Sequence, residues 1–352
     1  MRILVTGGAG FIGGEIVRGA LARGEAVRVL DSWRTDVHAA SAALPDGAEG
    51  LRGDVRDADA LDRALEGVDV VCHQAAKVGL GVDLQDSPDY ASSNVVGTAE
   101  LIAAMARARV GRLVIASSMV VYGEGAYRDA AGARRRPAPR TEADLAAGRF
   151  DPRDPASGHP LVPDLVDEDD ALDPRNVYAL TKLAQEHLAG AWARATGGRA
   201  ALLRYHNVYG QRMPRDTPYA GVAAIFRSSL AAGEAPRVFE DGAQRRDFVH
   251  VTDVASANLA AADRLAALPD GSARAYNIGS GAVTTVGQIA AGLARAMRGP
   301  DPIVTGEYRL GDVRHITASS ARARAELAWT PRIPLETGLA EFAAAQPAGA
   351  NP

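Results

Sequence analysis

Cysteine and long apolar runs are nearly absent from this 352-residue sequence. The single cysteine, Cys72, rules out an internal disulfide and a cysteine-rich zinc site. No run of about 18 apolar residues is present, so the sequence predicts no membrane span. The chain opens on a strand-like segment, residues 2–5, instead of a charged leader followed by an apolar run. We therefore expect a cytoplasmic protein.

Lysine is also scarce, because only Lys77 and Lys182 occur among 39 basic residues. A compact ammonium on a flexible stem serves purposes that a guanidinium cannot, so both lysines are candidate functional residues. The formal net charge of −4 provides no general attraction for nucleic acid or an anionic membrane. We expect neither as a partner and predict a small anionic ligand.

Short β-branched runs alternate with longer alanine-rich helical stretches along the first two thirds of the chain. The alternating segments are residues 3–6, 12–22, 27–30, 59–65, 68–73, 92–107, 112–116, 174–195 and 200–205. This alternation is typical of βαβ units. It predicts an α/β fold, a Rossmann doubly wound parallel sheet.

Two regions interrupt this alternation. Residues 124–170 are rich in Pro, Gly, Arg and Asp and are interpreted as an inserted excursion or lid. The tail, residues 346–352, is expected to be flexible. Segments 207–246 and 284–339 read as irregular mixtures suited to a smaller substrate-binding lobe at the carboxyl edge of the sheet. The predicted division is a Rossmann domain over 1–205, with a return near 247–280, and a lobe over 206–246 and 281–345.

A glycine-rich turn containing Gly7, Gly10 and Gly13 joins the first strand to the first helix. Such glycines let the backbone approach a pyrophosphate at the positive end of a helix. Asp31 follows at the end of the next strand, where a carboxylate accepts hydrogen bonds from a ribose diol and repels a 2′-phosphate. The combination predicts NAD as the cofactor. A plain helix-entry turn is the alternative, and Arg34 is a conceivable 2′-phosphate ligand.

Two further segments are predicted to contact the dinucleotide. Asp54 and Val55 follow a short strand and are expected to flank the adenine. Ala75, Ala76 and Lys77 end the fourth strand near the phosphates. The small side chains of the two alanines are explained equally well as a packing requirement.

Tyr178 and Lys182 stand four residues apart in a helical stretch, which places them on one helix face. A phenol has a reference pKa of about 10, and a nearby ammonium lowers the pKa towards neutrality. Ser118 ends a predicted strand at the same edge and is placed to hydrogen-bond the substrate oxygen that Tyr178 deprotonates. The alternatives are a solvated helix surface for the pair and a turn role for the serine.

With these motifs, the chain resembles an extended short-chain dehydrogenase/reductase of the nucleotide-sugar epimerase and dehydratase group. The residues that carry the resemblance are 6–13, 31, 54–55, 73–76, 94, 117–123, 178–182, 204–210, 246–253, 276–281 and 314. The resemblance implies that Asn207 holds the sugar or diphosphate, that Arg246 and Arg314 bind the diphosphate, and that Phe239 lies against the nucleobase. Surface ion pairing is the alternative for Arg314.

The predicted site contains catalytic, cofactor and substrate residues but no metal ligands. The catalytic residues are Ser118, Tyr178 and Lys182. The cofactor-binding residues are Gly7, Gly10, Phe11, Ile12, Gly13, Asp31, Ser32, Asp54, Val55, Ala75, Ala76, Lys77, Asn94, Ser117, Tyr178, Lys182, Tyr205, Asn207 and Val208. The substrate-binding residues are Ser118, Met119, Val120, Tyr178, Asn207, Val222, Phe239, Arg246 and Arg314.

The resemblance implies a shared first step, oxidation of a sugar hydroxyl to a ketone by NAD. Dehydratase relatives carry an Asp-Glu pair just after the serine position, and decarboxylating relatives carry a Glu there. Here those positions hold Met119 and Val120, which disfavours elimination. C4 epimerisation, in which the keto sugar turns and is reduced on its other face, is the simplest remaining outcome.

Within the group, residues 117–125, the long insert running to residue 170, and residues 172–182 resemble the dTDP-L-rhamnose 4-epimerases most. Those relatives often carry paired cysteines in the insert, whereas here Asp129 and residues 154–158 occupy the equivalent positions. UDP-hexose or UDP-uronate epimerisation and an antibiotic-pathway sugar therefore stay open. A 4-keto-sugar reductase using NAD(P)H and a catalytically silent nucleotide sensor are the alternative functions.

The resemblance also implies a homodimer with a two-fold four-helix interface. The two apolar helix faces assigned to it carry Val95, Leu101, Ile102 and Met105, and Leu180, Leu183, Ala184 and Leu188. The alternative is that these faces belong only to the hydrophobic core.

Overall fold

The computed structural model describes residues 1–34, 43–79, 84–214 and 221–345. The predicted tail, residues 346–352, lies outside them. Seven parallel strands form the central sheet in the order β14-β9-β5-β4-β1-β2-β3. These strands are β1 (Arg2–Thr6), β2 (Ala26–Asp31), β3 (Glu49–Arg52), β4 (Val70–His73), β5 (Arg112–Ser118), β9 (Arg199–Tyr205) and β14 (Ser272–Ile278). The strand order reverses between β1 and β4, where ligands bind in open α/β sheets.

Helices cover both faces of this sheet, as the βαβ pattern requires. The helices are α1 (Phe11–Ala22), α2 (Ala58–Leu65), α3 (Ser87–Tyr90), α4 (Gly97–Ala108), α5 (Glu142–Ala146), α6 (Val177–Thr196), α7 (Val222–Ala231), α8 (Val251–Arg264), α9 (Val286–Met297), α10 (Ala321–Leu327) and α11 (Leu335–Ala344). Helices α1 and α8 pack on one face, while α2, α4 and α6 line the other. The predicted Rossmann fold is confirmed.

A third apolar core lies beyond the carboxyl edge of the sheet. It is built from α7, α9 and α11 and contains Phe226, Leu293 and Phe342. Short strand pairs support it: β10 (Asn207–Tyr209) with β13 (Phe248–His250), β11 (Arg237–Val238) with β16 (Ile303–Val304), and β12 (Arg245–Arg246) with β15 (Thr284–Thr285). The expectation that 207–246 and 284–339 are irregular is therefore wrong in part, because α7 lies in the first segment, and α9, α10 and the start of α11 lie in the second.

The insert, residues 124–170, has a small sheet of its own. Its antiparallel strands are β6 (Ala126–Arg128), β7 (Arg134–Arg135) and β8 (Val162–Asp164), in the order β7-β6-β8. Near the end of the insert, the Val166 amide donates to the Thr317 carbonyl at 2.9 Å, and the Ser319 amide donates back at 2.8 Å. The insert is thereby joined to the C-terminal segment.

The helix faces assigned to a dimer interface are only partly exposed. Leu101 and Met105 are fully buried in the core under α4, so their assignment to that interface is wrong. They point inward because α4 packs against α2. Leu180 on α6 is 57% exposed, and Val96 beside α4 is 48% exposed. Among the described residues, no helix is sufficiently long and apolar to cross a membrane.

Candidate active site

The glycine-rich turn approaches the end of β4 so closely that side chains are excluded. A Cβ on Gly7 would lie 2.7 Å from the Ala75 amide nitrogen, and Gly7 has a φ of +70°. A Cβ on Gly13 would overlap the carbonyl oxygen of Gly7. Helix α1 starts after Gly10 without a side-chain cap or an acidic first turn. Its first amides thus present a cradle for an anion.

Asp31 closes this cradle from the neighbouring strand. Its carboxylate accepts hydrogen bonds from the Ala9 amide at 3.0 Å and the Trp33 amide at 2.9 Å. The side chain therefore fixes the turn beside the position predicted for the ribose. Asp54, predicted to flank the adenine, pairs with Arg56 at 2.6 Å, and this hydrogen bond lowers the pKa of Asp54.

Asn94 lies in a π-helical turn, Ala91–Val96, between α3 and α4. Its amide exchanges two hydrogen bonds with the backbone of Lys77, at 2.8 and 3.0 Å, and donates a third to Thr181 at 2.9 Å. Asn94 thus connects the end of β4 to the catalytic helix. The Lys77 ammonium pairs with Asp89 at 2.8 Å.

Tyr178 stands in the first turn of α6, which begins after an Asn176 cap. Helix α6 packs against β5, and Ser118 at the end of that strand lies near enough to the phenol to affect its pKa, so the structure brings these two predicted residues together. Burial raises the pKa of Tyr178 to about 12, although the Ser118 hydrogen bond opposes this effect. In the protein alone, the shift is thus opposite to the predicted lowering, because burial outweighs the opposing interaction.

Lys182 follows one turn later and is 3% exposed. Its ammonium donates to the Gln185 side-chain oxygen at 2.8 Å. Burial lowers the pKa of Lys182 to about 7, and the charge of Glu186 opposes this shift. A lysine with such a pKa changes its charge near neutrality.

The predicted polar residues of β5 and β9 are held by protein partners. Ser117 donates to Glu186 at 2.5 Å, on the opposite side of the strand from Ser118. The Tyr205 hydroxyl is hydrogen-bonded to Gln74 and Asn258. Ser117 and Tyr205 are thus hydrogen-bonded to other protein side chains and help to hold the site in shape.

Asn207 differs, because its side-chain oxygen is buried and meets no hydrogen-bond partner within the described part of the chain. A buried polar atom without a partner is costly, so a ligand group is expected to supply one. Val208 packs beside it against the core, and Val222 begins α7. Phe239 is half-buried, and the guanidinium of Arg309 lies 5.1 Å from its ring centroid.

The two predicted diphosphate arginines are extensively engaged with the protein. Arg246 donates to the carbonyl oxygens of Arg245, Val313 and Arg314 at 2.5 to 2.9 Å. The Arg314 guanidinium is 1% exposed and binds three carboxylates, Asp241 at 2.7 Å, Asp151 at 2.8 Å and Glu240 at 2.9 Å. The role of Arg246 and Arg314 in diphosphate binding stays a prediction.

Comparison with known proteins identifies the family. The sequence model of the NAD dependent epimerase/dehydratase family matches residues 3–279. The chain is 37% identical to dTDP-L-rhamnose 4-epimerase of Burkholderia thailandensis, covering 97% of this chain and 93% of the relative. The chain belongs to the NAD-dependent epimerase/dehydratase family.

Solved structures of this family share the fold over nearly the whole length. UDP-glucose 4-epimerase of Thermus thermophilus, in complex with NAD, has a TM-score of 0.77 and 29% identity, with 97% of this chain and 98% of that one covered. UDP-glucose 4-epimerase of Thermotoga maritima, with UDP-glucose, has a TM-score of 0.78 and 28% identity, with 97% of each chain covered. These relatives are nucleotide-sugar 4-epimerases, the enzyme class predicted from the sequence.

The cofactor of this family member is NAD. The residues present fit it, since the turn between β1 and α1 leaves a cradle that any Cβ would fill. Gly7, Gly10 and Gly13 would hold the pyrophosphate, and Asp31 the adenosine ribose. Within the described ranges, no cluster of three or more metal-ligating side chains occurs.

The sequence interpretation missed the polar residues around Lys182 in this epimerase/dehydratase family member. Gln185 and Glu186 lie three and four residues after Lys182, within its own helix face. His73 and Thr98 complete the buried group from β4 and α4. Helical spacing from Tyr178 was the available signal for Gln185.

Proposed function

We propose that this NAD-dependent enzyme is a nucleotide-sugar C4-epimerase whose substrate is a dTDP-6-deoxyhexose such as dTDP-L-rhamnose. The observation that carries the proposal is that α6 packs against β5, so that Tyr178 and Ser118 meet at the end of that strand, one helical turn from a buried lysine. This arrangement suits the removal and return of one hydroxyl proton. A nucleotide sensor has no need of it.

Tyr178, as phenolate, takes the proton of the sugar C4 hydroxyl. Ser118 donates a hydrogen bond to the same oxygen and holds it in place. A bound NAD would supply the reversible hydride transfer at C4. The protonated Lys182 favours the phenolate by its charge, against the burial that otherwise raises the pKa of Tyr178.

The same residues serve the return step. After the 4-keto sugar turns in the site, Tyr178 gives its proton back to the C4 oxygen on the new face. Met119 and Val120 supply no acid or base for elimination across C5 and C6. The balanced outcome is inversion at C4 with no net oxidation.

The choice of nucleotide is supported by similarity. The relative from Burkholderia thailandensis, 37% identical, is a dTDP-L-rhamnose 4-epimerase. UDP-glucose 4-epimerases at about 30% identity support the second candidate, a UDP-hexose or UDP-uronate substrate. In either case we infer that Asn207 holds the sugar, by accepting from a hydroxyl with its free oxygen, or the diphosphate, by donating from its amide nitrogen. Phe239 would lie against the base, and Arg246 and Arg314 beside the diphosphate.

Direct conversion tests these proposals. The purified enzyme is incubated separately with dTDP-L-rhamnose, UDP-glucose, UDP-galactose and UDP-glucuronate, without added cofactor, and products are separated by chromatography. Inversion of dTDP-L-rhamnose at C4 is expected. Turnover that requires and consumes NADPH would instead establish a reductase, and a Tyr178→Phe variant with wild-type turnover would exclude Tyr178 as the base.

We further infer a homodimer through the exposed parts of α4 and α6. Leu180 and Val96 are large apolar side chains exposed there, and Ile102, Ala184 and Leu188 are half-buried. A Leu180→Asp variant should elute as a monomer where the wild type elutes as a dimer. A wild-type monomer at micromolar concentration would reject the inference.

A further inference from the structure

A chain of buried hydrogen bonds joins Lys182 to the glycine-rich turn. Lys182 donates to the Gln185 oxygen at 2.8 Å, and the Gln185 amide nitrogen donates to the Thr98 hydroxyl at 2.7 Å. His73 reaches Thr98 at 3.0 Å on one side and Thr6 at 2.7 Å on the other. All five side chains are at most 3% exposed. Thr6 directly precedes Gly7, so the chain ends at the cofactor cradle.

The orientation of the Gln185 amide follows from its partners. The Thr98 hydroxyl donates its one hydrogen to the Asn94 carbonyl at 2.7 Å, so it accepts from Gln185. An ammonium has donors only, so it requires the amide oxygen. A reversed amide would place donor against donor at Lys182 and acceptor against acceptor at Thr98. Glutamine in this one orientation satisfies both sides.

We propose that Gln185 is a positioning residue of the active site. Its oxygen accepts from the Lys182 ammonium, and its nitrogen donates to Thr98, which connects it to the residues that support the cofactor turn. This role extends the proposed function to a residue that does not touch substrate. Gln185 occupies one of the three ammonium donors. Two remain for the cofactor and the catalytic tyrosine.

The charges around Lys182 leave Gln185 as its direct acceptor. Glu186 on the same helix is bound by Arg204 at 2.7 and 2.9 Å and by Ser117 from β5. His73 on β4 is held neutral, because burial and the charge of Lys182 lower its pKa to about 3. Tyr178 is the remaining titratable group on the helix face. The pKa of Lys182 is therefore expected to depend on which hydrogen-bonding group stands at position 185.

The lysine content of the chain makes this testable without any substrate. Lysines labelled with ¹³C at Cε give two resonances, from Lys77 and Lys182, and a Lys77→Arg variant assigns them. A pH titration of the enzyme as purified then reads the pKa of Lys182 directly. Lys77, held by Asp89, serves as the internal reference.

Two variants give opposite shifts if the proposal is correct. Gln185→Leu removes the acceptor, so the pKa of Lys182 should fall by about one to two units while Lys77 is unchanged. Gln185→Glu offers a carboxylate, so the pKa should rise by about one unit. An exposed residue in the last turn of the same helix provides the control, Arg194→Gln, which should move neither resonance.

Turnover gives the second measurement, which rests on the proposed function. Gln185→Leu should lower kcat by about tenfold or more with KM changed less than about threefold, and Gln185→Glu should recover part of the loss. An unchanged Lys182 titration in Gln185→Leu overturns the proposal. Should that variant fail to fold, the nearly isosteric Gln185→Glu variant replaces it. An unchanged pKa of Lys182 in Gln185→Glu then overturns the proposal. Absence of wild-type turnover on every sugar would reject the proposed function, while the titration still decides the role of Gln185.

Discussion

Replacing Arg314 by methionine removes a buried cation that joins the insert to the C-terminal segment. The guanidinium bonds to Asp151 of the insert and to Glu240 and Asp241 beside β11. Glu240 is 3% exposed and keeps one partner, Arg140, at 2.8 Å. The substitution keeps an unbranched apolar stem but removes the guanidinium, which leaves part of this carboxylate cluster unpaired.

The magnitude follows from burial. Removing one partner of a buried ion pair costs about 3–5 kcal/mol. Because Glu240 keeps its contact with Arg140, we expect Arg314→Met to lower the free energy of unfolding by about 3 kcal/mol. For a chain of 352 residues, that free energy corresponds to a fall in melting temperature of about 4 °C. Differential scanning calorimetry of the enzyme with its cofactor measures this shift.

An exposed ion pair supplies the matched control. Arg237 and Glu307 pair at 2.6 Å with side chains 62% and 50% exposed, so Arg237→Met should lower the melting temperature by about 1 °C or less. Equal shifts in the two variants would refute the reasoning from burial. A large rise in KM for Arg314→Met, at an unchanged melting temperature, would instead support the direct diphosphate role predicted from the sequence.

The remaining predictions concern catalysis, cofactor retention and acid stability. Ser118→Ala removes the hydroxyl proposed to hold the substrate oxygen beside Tyr178 and should lower kcat by about 10- to 100-fold in steady-state assays; wild-type kcat would argue against this role. Gly13→Ala should release NAD, measured by chromatography of the denatured enzyme, whereas Gly111→Ala, which faces open space, should retain it. Burial lowers the pKa of His206 from 6.5 to about 3. Between these values the unfolded chain binds a proton that the folded chain does not, so stability falls as pH falls. His206→Asn should reduce the slope of unfolding free energy against pH by about 1.4 kcal/mol per unit, and an unchanged slope contradicts this.

The central sheet was predictable because its strands carry a strong local signal. Buried parallel strands such as β5 and β9 are short β-branched or apolar runs between helical stretches. The glycine spacing and Asp31 predicted NAD, and the set of motifs along the chain gave the resemblance to the family. Both are confirmed. The domain bounds and the individual site residues stay predictions.

The smaller lobe was less accessible from the sequence, because several of its strands are very short. Strands such as β12 and β16 are two residues long and show no periodicity. Helix α9, however, did have a signal, since Thr285 and Gln288 form a reciprocal cap at its start. The burial of Leu101 and Met105 depended on how α4 packs against α2, which periodicity alone does not specify.

The raised pKa of Tyr178 could not be predicted from the sequence either. The spacing of Tyr178 and Lys182 predicts that their charges interact, but the outcome depends on desolvation. That quantity depends on neighbours from distant segments, including Tyr90, whose ring centroid lies 5.9 Å away. The pKa of Lys182 likewise depends on a distant segment, because its acceptor Gln185 is oriented by a hydrogen bond to Thr98.

The insert is fastened at both its ends to one stretch of chain. Glu124 accepts the Arg314 amide at 2.5 Å, and Val166 exchanges backbone bonds with Thr317 and Ser319. The turn at residues 155–158 is exposed and contains neither of these attachments. It is accordingly the natural place to graft a peptide tag or a fluorophore without disturbing the chemistry of the enzyme.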